Sequence, residues 1–118
     1  MATILIADDS AFMRMRCVSI LRDLGHEAIE AADGVEAVQM YRASKPAGVL
    51  LDITMPNKDG LAALHDILAA DPGARVAMVT AMGQQKIVVE ALKAGAKDFV
   101  VKPFDPERVK EAIQRLVA

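Results

Sequence analysis

The chain alternates short apolar runs with helical stretches through ten segments, and this alternation restricts the fold more than any other feature. Ile4-Leu5-Ile6-Ala7 is rich in strand formers, too short for a helix, and stops at Asp8-Asp9-Ser10. Behind it Met13, Cys17, Ile20, Leu21 and Leu24 recur on one helical face, and Gly25 is placed to end that helix. Glu27–Ala31 alternates weakly and reads as a second strand. Asp33-Gly34 turns into a helix marked by Val35, Val38 and Tyr41, which ends before Pro46. Gly48–Ile53 is apolar on both faces, as a central parallel strand should be. Pro56 and Gly60 punctuate the loop to a third helix (Leu61, Leu64, Ile67, Leu68), which stops at Asp71-Pro72-Gly73. Val76–Thr80 is the fourth strand, with Ile87, Ala91 and Leu92 on the helix running to Gly95. Phe99–Val101 is the fifth, and Val109, Ala112, Ile113 and Leu116 mark the last helix.

Five strand–helix units leave few architectures. Parallel strands joined by right-handed crossovers are covered by helices on both faces, and a closed barrel of this kind needs eight units. The pattern predicts an α/β fold, an open three-layer αβα sandwich forming a single domain over residues 1–118. A chain of 118 residues suits one core, and 53% hydrophobic residues exclude disorder. Fourteen basic residues face 16 acidic ones for a net charge of −2, with no basic tract, which argues against a nucleic-acid partner. Phe12, Tyr41, Phe99 and Phe104 are too few for a base-stacking platform. No apolar run approaches the roughly 18 residues of a membrane span, and Met1-Ala2-Thr3 reaches Asp8 too soon for a secretory signal. A single cysteine, Cys17, forms no internal disulfide and suits a reducing compartment. The expectation is a cytoplasmic monomer without membrane contact.

Ligands of open α/β sheets bind beyond the carboxyl ends of the strands. Strand one ends in Asp8 and Asp9, strand three in Asp52, strand four in Thr80 and strand five in Lys102. If strands one, three and four are neighbours, about 4.8 Å apart, the three carboxylates share one pocket. Thr80 then borders it, and Lys102 reaches over on its long stem. Two like charges 4 Å apart repel by about 4 kcal/mol at an effective dielectric near 20, so a proton or a cation must relieve the cluster. Magnesium suits such a donor set, because it favours oxygen ligands and combines carboxylates with phosphate. A hydroxyl and an ammonium opposite fit a tetrahedral dianion, with a carboxylate as nucleophile.

Taken singly, these residues favour blander readings. Asp9 or Ser10 can cap the first helix, Asp52 can be a turn residue, Thr80 is a common strand residue, and Lys102 can be a solvated end. Pro103 can simply shape a turn, with a cis bond as an option. Joint placement on four strand ends is what separates them from that background.

The full set resembles the receiver domain of two-component response regulators over essentially the whole chain. Asp8-Asp9-Ser10, Asp52 with Met55-Pro56 and Gly60, Thr80-Ala81, Ala94-Gly95-Ala96 and Lys102-Pro103-Phe104 carry the resemblance. Asp8 to Arg14 and Ala81-Met82-Gly83-Gln84-Gln85 are most similar to chemotaxis members of the bacillus and thermotoga type. The resemblance supplies the flavodoxin-like strand order 2-1-3-4-5, which the hydrophobic pattern alone does not.

It also implies roles. Asp52 is the expected phospho-acceptor, taking a phosphoryl group from a histidine kinase that is CheA-like in the chemotaxis branch. Asp8, Asp9, Asp52 and the Thr54 backbone carbonyl are the expected Mg2+ site, with Asp8 acting mainly through water. Lys102 is expected to bind a phosphoryl oxygen, and Thr80 to close on the phosphorylated form. Phe99 is the expected switch aromatic, swinging inward as Thr80 moves; lacking a hydroxyl, it is expected to populate the inward position even without phosphate. Thr54 and Met82 are expected to flank the phosphoryl group, with Met82 slowing hydrolysis. The implied output is phosphorylation-dependent binding of a flagellar switch or other downstream protein at the face of helix four, strand five and helix five, with no turnover of an external substrate.

Other classes fit less well. A phosphorelay intermediate, or a receiver excised from a larger regulator, carries the same residues. A haloacid-dehalogenase-type phosphatase needs a second carboxylate two places after its nucleophile, where this chain has Thr54. A flavodoxin-like electron carrier needs a Ser/Thr/Gly-rich phosphate loop after strand one, which is absent.

Overall fold

The computed structural model describes residues 1–118. In chain order it contains β1 (Thr3–Ala7), α1 (Ala11–Asp23), β2 (Glu27–Ala31), α2 (Gly34–Ser44) and β3 (Gly48–Asp52). It continues with α3 (Gly60–Ala70), β4 (Val76–Thr80), α4 (Gln85–Ala94), β5 (Asp98–Val101) and α5 (Pro106–Val117). All strands pair in parallel in the order β2-β1-β3-β4-β5, as the resemblance implies. The expected αβα sandwich is therefore observed.

Alternation along the strands divides the core in two, because successive strand residues face opposite sides of a sheet. Leu5, Val49, Leu51, Val76 and Met78 pack with α2, α3 and α4 through Val38, Leu64, Ile67 and Ala91. Ile4, Ile6, Leu50, Ala77, Val79 and Val100 pack with α1 and α5 through Leu21, Val109, Ile113 and Leu116. Every residue of β3 is buried, which explains its apolar character on both faces.

Side chains cap four of the five helices. Ser10 Oγ accepts from the Met13 amide at 3.2 Å, so Ser10 rather than Asp9 caps α1. Asp33, Asp59 and Asp105 do the same for α2, α3 and α5. Gln84 holds the same position at α4, but its side chain makes no cap bond and is engaged elsewhere. Gly25 has φ +79° and Gly95 φ +128°, conformations that favour glycine and end α1 and α4.

Element ends differ from the sequence expectation by about a residue. β3 stops at Asp52, although the Ile53 amide still donates to Val79 O at 3.0 Å. β5 starts at Asp98, which pairs with Ala77. Asp98 is buried by ionic partners from α5, so apolar periodicity does not reveal it.

The loop between β3 and α3 lies hard against its surroundings. A Cβ on Gly60 would stand 2.0 Å from Asp52 O, and one on Gly34 would stand 2.1 Å from Lys58 O. Both positions require the absence of a side chain. The loop that follows Asp52 is thereby pinned from two directions.

Candidate functional site

Asp8, Asp52 and Lys102 continue the alternation of Ile6, Leu50 and Val100, so they turn to the α1/α5 side of the sheet. Thr80 continues that of Met78 and turns toward α4. Lys102 Nζ donates to Asp52 Oδ2 at 2.9 Å and to Asp8 Oδ2 at 3.0 Å, crossing over β4 to do so. The Lys102 amide donates to Thr80 O at 2.7 Å, which seats its backbone beside β4, and the Lys102–Pro103 bond is cis. Asp8 Oδ1 also accepts from the Ser10 amide at 2.9 Å.

Asp8, Asp9 and Asp52 each offer an oxygen within 4.8 Å of the others. Asp8 and Asp52 are only 5% exposed, whereas Asp9 faces solvent. Burial pushes the Asp52 carboxyl above its ordinary range, and the charge of Asp8 adds to this. The Lys102 hydrogen bond and charge, with the Thr54 amide, act in the opposite direction. Burial alone would lower the Lys102 ammonium, but its bonds to Asp52 and Asp8 hold it above the ordinary lysine value. One cation thus faces three carboxylates. The surplus negative charge and all-oxygen donor set fit a hard divalent cation such as Mg2+.

Thr80 is 2% exposed, and its hydroxyl lies 2.9 Å from Gln84 Oε1 and 3.1 Å from Ala81 O. Gln84 Oε1 also accepts from the Ala81 amide at 2.8 Å, and Gln84 Nε2 donates to Thr54 Oγ1 at 3.1 Å. Of the residues expected at the site, Asp8, Asp9, Asp52 and Lys102 therefore converge. Thr80 and Thr54 instead meet through Gln84, beside the carboxylates. Met82 is 80% exposed and half-buried Phe99 packs against the α2/α3/α4 core; both line an apolar groove of about 460 Å³ between α4 and β5.

The response regulator receiver domain family matches residues 4–114 of this chain. The chain belongs to that family. It is 51% identical to the chemotaxis protein CheY of Thermotoga maritima over 114 residues, covering 96% of this chain and 95% of that protein. It is 53% identical to CheY of Listeria monocytogenes over 116 residues, covering 98% of each. Among solved structures, it is similar to the CheX–CheY–BeF3–Mg2+ complex from Borrelia burgdorferi. There the TM-score is 0.93 at 39% identity, covering 98% of this chain and 89% of that one. This is a CheY-like receiver domain of a two-component response regulator. Receiver domains generally bind Mg2+ at an acidic cluster, and this one has such a cluster in Asp8, Asp9 and Asp52. No helix is long and apolar enough to cross a membrane.

Sequence reasoning assigned no role to two features of this receiver. In the sequence Gln84 is only part of a motif; its bridging role depends on the path of a loop, which no periodicity encodes. The other is the buried ion pair of Asp98 with Arg108. Arg108 Nη2 donates to Asp98 Oδ1 at 2.8 Å and to Phe99 O at 2.7 Å, and the Phe99 amide donates to Asp98 Oδ1 at 2.8 Å. A lone acid opening a strand and an arginine on the following helix were the available signal.

Proposed function

We propose that this receiver is a chemotaxis-type switch, a single cytoplasmic unit over residues 1–118 that acts as a monomer. A CheA-like histidine kinase phosphorylates it on Asp52, and it then binds a flagellar switch or other downstream protein. The observation that carries the choice of Asp52 is its place at the end of central β3, buried, flanked by Asp8 from β1 and gripped by Lys102 from beyond β5. Asp8 is committed to Ser10 and Lys102. Asp9 is exposed at the pocket mouth.

Asp52 attacks phosphorus as an oxygen nucleophile, and the phosphorus–nitrogen bond to the kinase histidine breaks as the new oxygen–phosphorus bond forms. Lys102 orients the carboxylate and receives the negative charge that builds on the equatorial oxygens. Asp8, Asp9, Asp52 and the Thr54 carbonyl would hold Mg2+, which when bound neutralises charge on the carboxylates and the incoming phosphoryl oxygens. The acyl phosphate brings about −1.5 to −2 charge and three strong acceptors, and Thr80 closes on one of them. Phe99 then moves inward, changing the groove where Met82 and α4 meet the partner.

Incubation with acetyl phosphate and magnesium, followed by intact mass, tests the reading. Wild type should gain one phosphoryl group, and Asp52→Asn should gain none. An adduct of equal yield on Asp52→Asn would overturn the assignment.

A further inference from the structure

Gln84 is the one residue whose side chain joins the loop after β3 to the loop after β4. Its carboxamide has a defined orientation. The Ala81 amide can only donate, so the atom 2.8 Å from it must be the oxygen, Oε1. The same oxygen lies 2.9 Å from Thr80 Oγ1, so there the hydroxyl is the donor. Nε2 then faces Thr54 Oγ1 at 3.1 Å and donates to it.

Thr80 has one proton. Its acceptors are Gln84 Oε1 and Ala81 O, neither of which belongs to the carboxylate pocket. We propose that Gln84 is a positioning residue that retains the Thr80 hydroxyl in the resting state and sets how readily the switch closes, an inference resting on the reading of Asp52 as phospho-acceptor. For Thr80 to turn toward Asp52 the bond to Gln84 must break. At 2% exposure the hydroxyl has no ready water as a substitute, so it leaves only when another acceptor is presented. Phosphoryl oxygens on Asp52 are such acceptors.

Release has a second consequence. Gln84 is the N-cap residue of α4: its carbonyl accepts from the Val88 amide at 3.1 Å, while its side chain reaches to Thr80 and Thr54, so this one residue ties the first turn of α4 to both loops beside the pocket. The event at Thr80 is thereby passed to α4. Because the bond exists in one state only, it biases the equilibrium by the worth of one neutral hydrogen bond, roughly threefold to tenfold.

Beryllofluoride with magnesium, titrated into the full chain while NMR follows the Thr80 methyl and the Phe99 ring, tests this. Gln84→Met keeps the length and loses every bond; its midpoint should fall roughly threefold to tenfold below wild type. Gln84→Glu keeps the acceptor for Thr80 and Ala81, and its midpoint should stay at or above that of wild type. In a Thr80→Val background the effect of Gln84→Met should vanish, since the hydroxyl it acts through is gone. A Gln84→Met midpoint equal to wild type, or the same displacement with Thr80→Val, overturns the proposal. Wild type that does not respond to beryllofluoride overturns the acceptor reading itself, and this proposal with it.

Discussion

The Lys102 ammonium stands 2.9 Å from Asp52 although β4 lies between their strands. The reach is possible because both residues turn to the same side of the sheet, where the Thr80 side chain does not intervene. The contact makes Lys102 the only internal cation for two buried carboxylates.

Lys102→Met should therefore lower the stability of the metal-free protein by about 2 kcal/mol, less than for a fully buried pair broken on one side because the Lys102 side chain is 24% exposed. Urea unfolding measures this. Millimolar magnesium should restore most of the loss, because a divalent ion replaces the missing charge. Equal loss with and without magnesium would contradict the shared-charge picture.

Asp52→Asn should act in the opposite direction. Burial raises the Asp52 carboxyl, so the folded state keeps its proton to higher pH than the unfolded chain. The stabilising contribution is complete below the ordinary value of 3.8 and is lost as pH rises through the raised value. Without divalent ions, the variant should be more stable than wild type at neutral pH, with the difference fading toward pH 3.8. Unfolding midpoints across the acid range give the sign directly.

Asp98 carries the reverse sign. Burial pushes its carboxyl up, but the Arg108 fork, the Phe99 amide and the Arg115 charge together hold it below the ordinary range. Its contribution is complete above 3.8 and is lost as pH falls through the lowered value. Asp98→Asn should cost about 2 kcal/mol at neutral pH, less than a fully buried pair because Arg108 is 34% exposed. The deficit should shrink in acid, as measured by urea midpoints.

Gly60→Ala should cost more than about 3 kcal/mol, because its new carbon meets Asp52 O at 2.0 Å and neither backbone can yield cheaply. Gly73→Ala, whose new carbon meets only an Asp71 side-chain oxygen at 3.4 Å, is the control and should cost far less. Comparable losses in denaturant would show that the loop relaxes.

What the sequence made legible was whatever alternates or terminates. Strand and helix periods place all ten elements, and the polar residues at the ends of four of the five strands pick out Asp8, Asp9, Asp52, Thr80 and Lys102. Strand order was not of this kind, since Val, Ile and Leu runs carry no label of their neighbours; resemblance supplied it. Gln84 is illegible because its bonds cross between two loops, and Asp98 because its partners lie ten and 17 residues away on a helix whose periodic signal is its apolar face. Thr80 stands at the expected strand end, but that its hydroxyl meets Gln84 Oε1 and Ala81 O depends on the path of the following loop, which no periodicity encodes.

The two-sided arrangement of the sheet has an evolutionary consequence. The carboxylate cluster and Lys102 lie on the side of α1 and α5, while the apolar groove lies on the other side, along α4. Substitutions at Met82, Val89 and Leu92, which line that groove, can therefore accumulate without disturbing the carboxylates on the opposite side, so one inherited charge cluster can sit behind many different surfaces.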